Sequence, residues 1–187
     1  METWMVIAVA LIALTIVLLA IVGWSMSRRR RTDRLRGGFG PEYEREVNRL
    51  GKGKGESELQ QRRARVEQLQ IRELSREQAS GFASDWDAVQ SHFVDDPGQA
   101  VSQADELVGR VMGERGYPMG EFDQRVADIS VDHPDVASNY RAAHDIARRN
   151  ADGSATTEDL RQAMVHYRSL FQDLLPAAAA PGGTTGR

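Results

Sequence analysis

The chain has 187 residues, 41% of them hydrophobic, a formal net charge of −3 and no cysteine, which excludes disulfides, thiolate zinc sites and cysteine nucleophiles. The charge is a gradient: residues 28–36 hold six Arg and one Asp, whereas residues 75–175 hold 18 acidic and 9 basic side chains. So acidic a domain repels phosphate backbones, and nucleic acid is not an expected partner.

Residues 4–24, WMVIAVALIALTIVLLAIVGW, carry no charge and are bounded by Trp4 and Trp24. As a helix rising 1.5 Å per residue they would extend about 31 Å, close to the roughly 30 Å of a hydrocarbon core. The sequence therefore predicts an uncleaved transmembrane anchor over residues 1–27. A cleaved signal peptide fits less well, because the N-terminus holds Glu2 and no base and no Ala-x-Ala site follows. Arg28, Arg29, Arg30, Arg31, Arg34 and Arg36 all follow the apolar run, so the positive-inside rule puts the N-terminus outside and the rest in the cytoplasm, at the cell membrane. With the two Trp residues, these Arg residues form the expected membrane-interface set, touching the lipid bilayer and its anionic headgroups. Ala10, Ala13 and Ala20 form a stripe that would let two copies approach, the only hint of a homo-oligomer.

Residues 28–74 read as a basic segment, a Gly-rich linker and a charged spacer. The Gly37-Gly38-Phe39-Gly40-Pro41 run predicts a flexible break, residues 42–50 a short helix, and Gly51-Lys52-Gly53-Lys54-Gly55 a flexible basic linker. Leu59, Val66 and Leu69 make a thin stripe on a helix-prone spacer, too short for a stable coiled coil.

From Ser75 the helix signals are consistent. Ser75 and Gln78 form a capping box ahead of Phe82, Trp86, Val89 and Phe93. Asp96 with Pro97 and Gln99 starts a second helix with Val101, Ala104, Leu107, Val108 and Val111 inward, closing at Arg115-Gly116. A short third helix carries Met119, Phe122, Val126 and Ile129; Asp132 and Pro134 open a fourth with Val136, Tyr140, Ala143 and Ala147. Thr156 and Asp159 cap a fifth, whose face is Leu160, Met164, Tyr167, Phe171 and Leu174, ending at Pro176. The fold class expected is all-α: one N-terminal transmembrane helix plus a soluble bundle of about five amphipathic helices over 75–175, with residues 176–187 as a disordered tail.

The segments FVDDPGQAVSQADELVGRVMGERGYP, VADISVDHPDVASNYRAAHDIARRN and LRQAMVHYRSLFQDLL resemble a family of bacterial membrane-anchored proteins, chiefly from high-GC Gram-positive bacteria, with a helical C-terminal domain. The resemblance covers about residues 93–175. It implies a bacterial, membrane-anchored protein and no activity, ligand or catalytic residue.

Chemistry is sparse. His92, His133, His144 and His166 are never three or four residues apart, and none has a carboxylate at that spacing within a helix, so no ready metal-ligand pair exists. GKGKGES lacks the order of a phosphate loop, and residues 148–159 begin on Arg148 where a calcium loop needs an oxygen ligand. Neither GxSxG, a dinucleotide fingerprint nor HExxH occurs, so no catalytic residue, metal or cofactor is expected. His133, Tyr140 and His144 are the candidates for an interhelical pocket; His133, beside Asp132 at a helix start, also reads as a capping residue. The function expected is a cytoplasmic-facing protein-interaction or scaffolding module that binds an unidentified cytoplasmic protein; the alternative is a small-molecule-binding or enzymatic helical domain with an interhelical pocket. A lipid-surface sensor built on residues 28–72 is a third.

Overall fold

The computed structural model describes residues 2–176, with side chains at positions 4, 14–16 and 18–176. Among the described residues every regular element is helical: α1 Glu2–Phe39, α2 Pro41–Leu50, α3 Lys52–Val66, α4 Arg76–His92, α5 Pro97–Glu114, α6 Phe122–Asp132, α7 Pro134–Ala151 and α8 Thr157–Leu174. They form two compact units, Met1–Gly38 and Phe39–Arg187. Residues 177–187, expected as a disordered tail, lie outside the described residues.

The first unit corrects the sequence expectation. Among the described residues no helix is long and apolar enough to cross a membrane. In α1 the described apolar side chains are Trp4 and, apart from position 17, those between Leu14 and Met26, which then meet four consecutive Arg, Arg28 to Arg31, whereas a span needs about 20 apolar residues. The expected transmembrane helix, and with it the single-pass cell-membrane localisation with its N-out orientation, is overturned by that finding. The side chains of residues 5–13 and 17, on which the expectation also drew, lie outside the described set, as do those of Ala10 and Ala13.

In the second unit, the expected Gly-Lys linker is mostly helix. Only Gly51, at φ +79°, stands between α2 and α3, and it turns the chain into a helical hairpin. Gly55 shows why glycine recurs here: a Cβ on it would lie 2.9 Å from the Glu46 carbonyl oxygen, so the two helices cross too closely for any side chain. The hairpin buries Phe39, Tyr43, Leu59 and Val66. It packs on α6 and α7 largely through charge. Glu42, 1% exposed, takes both guanidinium nitrogens of Arg141; Glu46 pairs with the equally buried Arg62 at 2.9 Å; Arg65 reaches the fully buried Asp128 at 2.7 Å.

The five helices α4 to α8 make the bundle. The capping boxes Ser75/Gln78 and Thr156/Asp159 both form, and Asp96 caps α5 by accepting from the Gln99 amide. Each cap satisfies helix N–H groups that would otherwise lack partners. α8 packs against α5 and α7, α4 against α5, and α6 against α7. Between them Val101, Ala104, Leu107, Val108, Val111, Val126, Ile129, Tyr167 and Phe171 are almost wholly buried, and Trp86 stacks on Phe171 at 4.9 Å between ring centroids.

Several boundaries differ from the sequence reading: the break expected over residues 37–41 is helical as far as Phe39, leaving Gly40 alone between α1 and α2, and the spacer helix ends at Val66, so Leu69 lies beyond it. Met119 lies in the loop before α6, half exposed, because Pro118 and Gly120 flank it and helix begins only at Phe122. Asp132 ends α6 instead of opening α7: the Tyr117 hydroxyl donates to its carboxylate at 2.8 Å, and neither Asp132 nor His133 supplies a side-chain cap. Residues 67–75 form a strap laid across the end of α5, where the Arg72 amide donates to the Arg115 carbonyl at 2.9 Å and Arg72 Nε to the Glu114 carbonyl at 2.7 Å. Gly116, at φ +94°, lies directly beneath it.

Candidate functional site

Of the residues singled out from sequence, the structure brings two together. Tyr140 and His144 stand one turn apart on α7, and Phe122 from α6 meets both: its ring stacks on His144 at 3.7 Å and meets Tyr140 edge-on at 5.0 Å. Beside them α5 presents Asp105 and α8 presents Tyr167, whose hydroxyl donates to Asp105 Oδ1 at 2.8 Å. His144 Nδ1 is 3.7 Å from the same oxygen, too far for a hydrogen bond. Arg125 of α6 completes the group, near enough to Tyr140 to act on its phenol electrostatically.

Two polar atoms in this cluster, Arg125 Nε and His144 Nδ1, are buried with no hydrogen-bond partner, and the buried Tyr140 hydroxyl has only the neighbouring Arg125 side chain, in a geometry short of a well-formed hydrogen bond. A buried polar atom left unmet costs about 1–3 kcal/mol, so these groups gain from any water or ligand that reaches them. Burial pushes the Tyr140 phenol up to about 12, against the lowering pull of Arg125. Burial and then the Asp105 carboxylate drive Tyr167 far above the usual phenol range. Both phenols thus stay protonated at neutral pH and serve as donors, not as bases or nucleophiles.

Asp105 and Arg125 also line a groove of about 680 Å³ that opens to solvent. Its floor is Gly109 and Gly113 of α5, and Met119 lies over both, 3.3 and 3.5 Å from where their Cβ atoms would be. Phe82 of α4 forms the opposite wall, and Glu106, Arg110 and Glu114 the rim. Arg110 is paired with Asp85 at 2.9 Å, and Glu114 with Arg72 at 3.5 Å.

His133 belongs elsewhere. Its Nδ1 bonds to the Asp173 carboxylate while its Nε2 accepts from Arg115, which also donates to the Leu174 carbonyl at 3.3 Å. With both ring nitrogens occupied by partners from other elements, this histidine fastens the α6–α7 junction to the end of α8. Trp4, Trp24 and the Arg residues at 28, 29, 30, 31, 34 and 36 are all exposed on α1, with the Arg28 guanidinium 3.8 Å above the Trp24 ring.

Asp105, Arg125 and Met119 belong to no motif that would mark them as site residues. The signal for the two charges lies in periodicity: Asp105 is four residues after Val101, and Arg125 three after Phe122, so each occupies a stripe that is otherwise apolar. Among the described residues no group of three His, Asp or Glu side chains could hold a metal ion. No protein-family model, curated protein or solved structure matches the chain.

Proposed function

We propose that residues 39–176 form a ligand-binding helical module that holds a small molecule in the groove bounded by α4, α5 and the loop entering α6. The observation that carries this reading is a groove of the size small ligands occupy, lined by the opposite charges of Asp105 and Arg125, which do not pair with each other. The chemistry available on the groove lining is recognition: the Arg125 guanidinium and the Asp105 carboxylate, the latter held by the buried Tyr167 hydroxyl.

The test is NMR of the full chain carrying ¹³C-methyl methionine, titrated with a library of small molecules. Binders should move the Met119 methyl signal, and Gly113→Phe, which fills the groove, should abolish that shift. If no library member moves Met119, or if Gly113→Phe binds as well as the parent chain, the reading is wrong. A second reading, a protein-interaction or scaffolding surface, draws support from the continuation of the groove past Gln78, Gly81 and Asp85 and from the excess of acid in residues 75–175. It calls for a partner whose crosslinking is lost in Gly113→Phe while no small molecule moves Met119.

A further inference from the structure

Resting on the small-ligand reading, we infer that the groove takes a small zwitterion with an apolar body, an amino acid with a hydrophobic side chain being the simplest example. Asp105 of α5 and Arg125 of α6 line the same cavity, yet they do not pair with each other; the ionisable group nearest Asp105 is His144, 3.7 Å away. Elsewhere on this unit the chain pairs its buried charges closely, as at Arg62–Glu46 and Arg65–Asp128. Here the opposite charges are held apart, and among the described residues no carboxylate lies within ion-pair distance of the Arg125 guanidinium.

The Arg125 guanidinium, on the groove lining, acts on the Tyr140 phenol but meets no carboxylate, and a guanidinium is a fork shaped for one. Asp105 spends Oδ1 on Tyr167 and keeps its other oxygen for a donor, with Glu106 the next carboxylate on the same lining. The lining as a whole excludes the simpler ligand classes. Asp105, Glu106 and Glu114 outnumber Arg110 and Arg125, so a phosphate or an isolated carboxylate would meet uncompensated repulsion. A plain amine would leave Arg125 unpaired, at the cost of any partly buried lone charge. An ammonium on Asp105 and a carboxylate on Arg125 answer both, while the ligand's apolar part lies between Phe82 and the Met119 side chain that covers Gly109 and Gly113.

Three probes of one shape decide it: L-phenylalanine, phenethylamine, which lacks the carboxylate, and 3-phenylpropionate, which lacks the amine. Binding to the full chain is read by calorimetry and by the Met119 methyl shift. L-phenylalanine should bind about tenfold or more tighter than either analogue, the loss expected for one charged hydrogen bond. Arg125→Gln should remove its advantage over phenethylamine, and Asp105→Asn, which still accepts from Tyr167, its advantage over 3-phenylpropionate. Equal affinity for the three probes, with Met119 shifting, overturns the zwitterion but leaves the small-ligand site standing. No shift with any of the three probes likewise overturns the zwitterion, whereas the small-ligand reading falls when no member of the wider library moves Met119.

Discussion

Gly116 and Gly153 offer a controlled comparison. Each follows a helix in the left-handed region, at φ +94° and +69°, and in each case the next amide closes a 6→1 bond, Tyr117 to Met112 and Ser154 to Arg149. Replacing either with Ala imposes the same conformational penalty, about 1–2 kcal/mol for a non-glycine residue there. The surroundings differ. A Cβ on Gly153 meets nothing within 4 Å, whereas one on Gly116 lies 2.5 Å from the Gln70 carbonyl oxygen. Relief requires the strap to move away from α5, which breaks the Arg72 amide hydrogen bond and the bond from its Nε, along with the long contact to the Glu114 carboxylate; the first two are worth about 1 kcal/mol and, for the charged one, about 1.5–3 kcal/mol. Because Arg72 is exposed, the lower end applies, so Gly116→Ala should be destabilised by about 2 kcal/mol more than Gly153→Ala. Urea denaturation followed by far-UV circular dichroism measures both. Equal losses, within about 0.5 kcal/mol, would show that the strap does not hold the end of α5 and would refute the reasoning.

Three further outcomes follow from the same geometry. Gly81→Ala, with nothing within 4 Å of the new methyl, should stabilise by up to about 1 kcal/mol through helix propensity, whereas Gly55→Ala should destabilise by about 1–3 kcal/mol because its methyl meets the α2 backbone; opposite signs in thermal melts are the check. Arg141→Met leaves Glu42 buried without its partner and should cost about 3–5 kcal/mol, most of which returns in the Glu42→Leu/Arg141→Met double variant; a double variant no more stable than the single one contradicts this. Burial alone would raise the Glu46 carboxyl, but hydrogen bonds and charge from Arg49 and Arg62 outweigh it and hold it below the usual carboxylate range. Its folded value being depressed, Glu46 contributes stability above the ordinary value of 4.5 and loses that contribution as pH falls through the folded value. The stability gap between the parent chain and Glu46→Gln should therefore narrow below about pH 4.5, and a gap that stays constant down to pH 3 would rule it out.

The bundle is largely legible in the sequence, because caps and stripes are local. Ser75 with Gln78, Asp96 with Gln99 and Thr156 with Asp159 each announce a helix start within four residues, and each forms. The hairpin is not legible, for the opposite reason. Gly51, Lys52, Gly53, Lys54 and Gly55 have weak helix propensity, and what makes them helical is docking on α6 and α7 through pairs 63 and 99 residues apart in sequence. The site is half legible. Tyr140 and His144 share a face of one helix, but Asp105, Arg125 and Tyr167 arrive from three others, and no spacing rule links them. His133 stands out in the sequence for its position at a helix boundary, yet its role is set by Arg115 and Asp173, neither of which is near it in the chain.

Met119 is a thioether lying over two glycines, on a loop that has no helix to stiffen it. An unbranched side chain with three rotatable bonds conforms to whatever displaces it at little energetic cost. The width of the groove is therefore adjustable, while its polar end, carried on α5 and α6, is fixed. Selectivity should follow from this division: strict towards the charges of a bound molecule and permissive towards the bulk between them. A leucine-like body and a phenylalanine-like body would then be discriminated far less than either is from its deaminated counterpart.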